Sequence, residues 1–343
     1  MKRFNKLFSF TLIVAGLAMI SCEGPAGTPG QDGQDGISGT DGTAACNACH
    51  SGNQMMLAKV LQYNNSTHST GENAAYCNRN GCTECHVSQG FLDKVKNGAA
   101  EASYSDPLQP NCYTCHEIHQ TFTLDDWALT TTAAVDLVHG TGSYDKGNSN
   151  LCANCHQARS VSPMPAVGGA DVTISSRYGT HHGPVANILA STGGYEVAGS
   201  LTYKATGHYT MISDGCVTCH MSSPYGTQAG GHQMSMGYDN HGATTLNLTG
   251  CTTCHNDATA LNTAVSARQQ KTQGLLDDLK AILIAEGVYN EATGLANGGT
   301  YSADLAGAYL NFQTVLEDRS LGVHNPSYTE ALLTNSIEKL SVK

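Results

Sequence analysis

The sequence predicts a mainly α-helical fold with extensive irregular loops, closed at its C-terminal end by a helical bundle. Three observations carry that expectation. Six CxxCH motifs lie between Cys46 and His255. The same stretch is rich in Gly, Ser, Thr and Asn, with little apolar periodicity. Beyond His255 the pattern changes to leucines at helical spacing. Aromatic residues are only 6% of the 343, so the central region lacks the side chains for an ordinary core. The length is enough for two domains. The net charge of −11 argues against nucleic acid or anionic lipid as a partner.

Residues 1–21 read as a signal peptide. Lys2, Arg3 and Lys6 precede an apolar run from Leu7 to Ile20, too short for a confident membrane span. The run ends in Met19-Ile20-Ser21-Cys22, which resembles a bacterial lipobox with Met in place of the usual Leu. The resemblance implies that Cys22 becomes the lipidated first residue of the mature chain. A plain signal peptide cut nearby is the simpler alternative.

Residues 22–45 form a tether. Glycine recurs at every third position from Gly24 to Gly42, the spacing of a collagen triple helix, where only Gly fits the axis. With only Pro25 and Pro29 as prolines, such a trimer would be weak. A solvated spacer that lifts the next domain off the bilayer is favoured.

Residues 46–256 carry the chemistry. The motifs are Cys46–His50, Cys82–His86, Cys112–His116, Cys152–His156, Cys216–His220 and Cys251–His255. Two thiols at this spacing match the two vinyl groups of haem, and the adjacent His reaches the iron. A single CxxCH could be a redox dithiol or half a zinc site. Six CxxC pairs each followed by His, in an exported chain, point to six haem c groups. The expected attachment residues are Cys46, Cys49, Cys82, Cys85, Cys112, Cys115, Cys152, Cys155, Cys216, Cys219, Cys251 and Cys254. The proximal ligands are His50, His86, His116, His156, His220 and His255. Porphyrin then supplies the missing hydrophobic core, and the chain is expected to wrap around it. Of the fourteen cysteines only Cys22 and Cys77 fall outside the motifs, and Cys77 is assigned no role.

Nine histidines remain, enough to give every iron a second axial ligand. His119 follows proximal His116 by three residues, a span of at most roughly 10 Å. That cannot travel around a porphyrin to the far face of the same iron. If His119 binds iron, the iron belongs to a neighbouring haem.

The phrases CYTCHEIHQTF, NLCANCHQAR, YGTHHGPVANILASTGGYE, GHYT, GCVTCHM and AGGHQMSM resemble multihaem c-type cytochromes of bacterial respiratory and extracellular electron-transfer systems. The tail LGVHNPSYTEALLTNSI is similar to a C-terminal segment shared by several of them, and to the nitrite reductase and hydroxylamine oxidoreductase superfamily. The resemblance implies His68, His119, one of His181 and His182, His208, His232 and His324 as distal ligands. His181 and His182 would point to opposite sides of an extended chain, so one binds iron and the other a propionate or water. His139 and His241, in Gly-flanked loops, are expected bystanders.

Residues 257–343 are the helical segment. Leu275, Leu279 and Ile282, with Leu276 and Leu283 alongside, mark one helix. Leu305, Tyr309, Phe312 and Leu316 mark a second, and a Ser327/Glu330 capping box opens a third through Leu333, Ile337 and Leu340. A cover over the haem region is favoured; a homo-oligomer interface is the alternative.

The expected function is electron transfer through six mostly bis-His haems, cycling Fe(III)/Fe(II), with no catalytic residues. The alternative is an oxidoreductase of the nitrite or hydroxylamine type with one open haem. The Lys-ligated CxxCK motif often found in nitrite reductases is absent. A third reading, a cytochrome filament, conflicts with a lipid anchor. The expected partners are redox proteins of the envelope or extracellular acceptors, and the membrane through its anchor. The expected location is the outer membrane or cell surface of a Gram-negative bacterium, with a periplasm-facing position as the variant.

Overall fold

The computed structural model describes His50 and residues 54–342. The signal region, Cys22, the Gly-X-Y stretch, Cys46 and Cys49 therefore lie outside the described residues. Those described belong to the unit that runs from Ala44 to Lys343.

The leucine-rich tail forms three long helices, Ala258–Ala285, Ala303–Asp318 and Pro326–Ser341. Their apolar stripes meet in the main core, which holds Leu276, Leu279, Leu283, Leu310, Leu332 and Leu333, all at most 1% exposed. In the first of these helices Leu276, Leu279 and Leu283 are the buried stripe, while Leu275 and Ile282 sit at its margins. In the second, Leu305, Tyr309 and Phe312 are buried but Leu316 is 39% exposed, because Val315 completes the face instead.

The last helix does not begin at the expected Ser327/Glu330 box. Its cap is Asn325, whose side-chain oxygen accepts from Tyr328 N at 3.1 Å, with Pro326 in the first turn. Proline suits that position because its missing N–H would have had no intrahelical partner. Glu330 instead receives Arg268 and Lys271 from the long helix, at 2.5 and 2.6 Å.

Buried asparagines bind this bundle to the loop before the fifth motif. Asn311 Oδ1 accepts from Tyr195 N at 2.7 Å and its Nδ2 donates to Tyr195 O at 2.8 Å. Asn325 Nδ2 donates to Ile188 O at 3.1 Å, and Asn335 Nδ2 to Leu201 O at 2.9 Å. Gly307 lets the middle helix approach closely, since a Cβ there would overlap the Tyr195 ring. Gly→Ala within a helix ordinarily gains about 1 kcal/mol. Overpacking costs about 1–3 kcal/mol or more, so Gly307→Ala is expected to lower the denaturation midpoint. An unchanged or raised midpoint would contradict the close approach.

The region upstream is looser. Helices Gln54–Asn64 and Ser88–Asn97 are its longest, and the rest is one-turn helices and loops. A second core gathers Val135, Leu137, Tyr144, Ala153, Ala186 and Leu189. The expectation of helices and loops omitted the strands, which are short and paired in twos. Three are local hairpins. One, Gly237–Asn240 with Ala243–Leu246, turns on His241 and Gly242, both at positive φ as a two-residue hairpin loop favours. The fourth pairs Val172–Ile174 with Gly299–Tyr301, tying the loop after the fourth motif to the segment just before the second bundle helix. Such pairings escape a periodicity search because two to four residues are too few to show alternation. Among the described residues, no helix is long and apolar enough to cross a membrane.

Candidate haem-binding sites

Each described CxxCH motif closes a single helical turn. His86 N, His116 N, His156 N and His255 N donate to the carbonyl of the first cysteine of their motif, at 2.9 to 3.0 Å. The fifth motif lies in helix Gly215–His220. One turn places the two thiols, three residues apart, on the same face. Capping locks some of these turns: Asn111 Oδ1 accepts from Tyr113 N at 3.0 Å, while Thr114 Oγ1 accepts from Asn111 N at 2.8 Å. The cysteines from Cys77 to Cys254 are free. Burial pushes the Cys115 thiol up to about 11, whereas the contact with Cys152 lowers Cys216 to about 5.

The histidines assemble into six pairs. His50 faces His119 with ring centroids 6.2 Å apart, and His86 faces His181 at 6.4 Å. His116 faces His232 at 6.2 Å, and His156 faces His68 at 5.9 Å. His220 faces His324 at 6.1 Å, and His255 faces His208 at 6.4 Å. Every pair joins one motif histidine to one from elsewhere in the chain. Metal–imidazole bonds of about 2.0–2.1 Å put two imidazoles on opposite sides of one ion at a centroid separation of roughly 6.3 Å. The pairs thus have the spacing of two axial ligands. His119 lies beside His50, not beside its sequence neighbour His116.

Several side chains aim these rings. His116 Nδ1 meets Trp127 O and His220 Nδ1 meets Met234 O, both at 2.8 Å. With Nδ1 occupied, Nε2 is the nitrogen left for a metal. The loop that carries His119 is gathered by Asp126, whose carboxylate accepts from His119 N, Thr121 N and Phe122 N at 2.7 to 3.0 Å. His119 and His181 stand at φ of 62° and 66°, a conformation held by surroundings and concentrated at functional positions.

Burial lowers the pKa of His68, His86, His156, His181, His220 and His232, with His156, His181 and His232 at about 4. These rings stay neutral at physiological pH, the form that binds metal. His324 goes the other way: burial opposes protonation, but the Asp318 carboxylate beside it outweighs burial. Exposed apolar side chains cluster near the pairs. They include Leu57 and Leu61 on the helix whose Gln62 holds His232, Phe122 against His119, and Met211 one turn beyond His208. A planar apolar macrocycle bound between each pair would cover surface of this kind.

Motif cysteines also meet across the sequence: Cys85 with Cys155, Cys152 with Cys216, and Cys219 with Cys251. The fourth motif therefore lies against both the second and the fifth.

The remaining histidines sit differently. His182 Nδ1 is 2.7 Å from Glu317, and its ring is 4.8 Å from that of His181. His139 is buried with Nε2 on Gly193 O at 2.8 Å. His241 is exposed in its hairpin turn. Cys77 is buried close to Cys82. Asp126, Trp127, Met234 and Asp318 carry no motif signal, so the sequence does not single them out.

No protein-family profile matches the chain, and no curated protein does. Among solved structures, the fold is similar to that of the outer cell wall cytochrome OcwA. The TM-score is 0.54 and the identity 22%, over 82% of this chain and 50% of that one. This chain shares the fold of the aligned part, which spans about half the length of that protein.

Proposed function

We propose that the protein is an electron-transfer cytochrome that holds six c-type haems at the bacterial cell envelope. One observation carries this reading: each of the six motif histidines faces a second histidine at axial-ligand spacing. The motif cysteines form the thioethers. His50, His86, His116, His156, His220 and His255 are the proximal ligands, and His119, His181, His232, His68, His324 and His208 in that order are the distal ones. Bound haem supplies one-electron Fe(III)/Fe(II) chemistry. With haem bound, the chain would offer each iron two imidazoles and so orient it. A second histidine at every pair leaves no face for a substrate, which favours a carrier over an enzyme of the nitrite or hydroxylamine type. His182 stands beside one pair without belonging to it.

Residues 1–21 serve export, Cys22 carries lipid, and the Gly-X-Y stretch spaces the haem region from the membrane. The acidic chain then exchanges electrons with envelope redox proteins or acceptors outside the cell. Intact-mass analysis of the mature protein is expected to show six haem increments and a lipidated Cys22. Fewer increments would overturn the haem count, and a different mature N-terminus would overturn the anchor.

A further inference from the structure

The pair His220–His324 is built differently from the others. Its motif member, His220, gives Nδ1 to a neutral backbone carbonyl, Met234 O, at 2.8 Å. Its partner, His324, instead gives Nδ1 to a carboxylate, Asp318 Oδ1, at 2.8 Å. Among the described residues, His324 is the one member of a pair that forms an ion pair with a carboxylate.

Asp318 is placed for this contact and for little else. It ends helix Ala303–Asp318, where a negative charge opposes the helix dipole, so the helix gains nothing from it. Its side chain is 1% exposed, against 23% for His324, so water does not screen the interaction. Ser320 fixes the geometry from the other side: its hydroxyl donates to Asp318 Oδ2 and accepts from His324 N at 3.2 Å.

We infer that Asp318 is a positioning residue that holds His324 through Nδ1, makes its Nε2 a stronger donor, and lowers the reduction potential of the iron between His220 and His324. The inference rests on the ligand roles proposed above. A carboxylate that accepts the Nδ1 proton pushes electron density onto the ring, and a more basic ligand favours ferric over ferrous iron. Pairs whose Nδ1 meets a carbonyl receive less of this push.

The test is a spectropotentiometric titration of the holoprotein carrying Asp318→Asn, which keeps the shape and removes the charge. One of six midpoints is expected to rise by at least tenfold in the Fe(II)/Fe(III) ratio at fixed potential, or 59 mV for one electron, with all irons still low-spin. Ser320→Ala removes the competing donor to the carboxylate, so the same midpoint is expected to fall. A role limited to local packing would not give shifts of opposite sign. Overlaid midpoints in Asp318→Asn, or shifts of the same sign in both variants, would overturn the inference while leaving the ligand roles intact. A His324→Ala holoprotein with six low-spin irons would overturn the ligand role of His324, and this inference with it.

Discussion

Replacing Cys152 and Cys155 with serine is expected to cost far more than one haem. The fourth motif touches the second through Cys155–Cys85 and the fifth through Cys152–Cys216. Losing that haem removes apolar contact from the middle of a region whose own side chains build only a small second core. A domain is stable by only about 5–15 kcal/mol in total, and apolar burial contributes about 25 cal/mol per Å², so a macrocycle packed on several sides is costly to lose. The variant is therefore expected to accumulate at a small fraction of the parent level. Cys251→Ser with Cys254→Ser is the control, because that motif is last in the chain of contacts and Cys254 is exposed. It should yield a folded protein with five haems. Equal yields of the two variants would contradict a fourth motif at the centre.

The second large effect is expected from His119→Ala. The His119 ring stands 6.2 Å from His50 and is held there by Asp126 through the backbone of its loop. Removing it leaves one iron, attached at the first motif, without its second imidazole. The oxidised variant should show one high-spin haem, and the reduced variant should bind one CO per chain. Asp126→Ala should reproduce part of this change by releasing the loop. Six low-spin irons in His119→Ala would remove His119 from the ligand set.

How much of this was legible in the sequence differs by region. The CxxCH motifs stand out by their fixed spacing, and each described one folds as a helical turn. The bundle was also legible, because Leu276, Leu279 and Leu283 follow the helical period. Its last boundary was misplaced because the Ser327/Glu330 pattern stood next to a stronger signal, Asn325 followed by Pro326. The partners of the motif histidines were not legible from spacing. His68 meets His156 and His208 meets His255, so a partner can precede its motif by a long or a short stretch. Chain reach spoke only for His119, where the distance was too short for its own iron. The choice between His181 and His182 depends on a positive φ at His181 that turns its ring toward His86, while Glu317 takes His182. Backbone partners such as Trp127 O and Met234 O leave no trace in residue identity, because every residue has a carbonyl.

The central claim is that six irons are each closed by two imidazoles. Near-infrared magnetic circular dichroism of the fully oxidised holoprotein tests it most directly, since the charge-transfer bands report axial ligands in place. The account predicts bis-imidazole low-spin intensity equivalent to six haems per chain and no high-spin component. A high-spin component worth one haem, or intensity for fewer than six bis-imidazole centres, would contradict it.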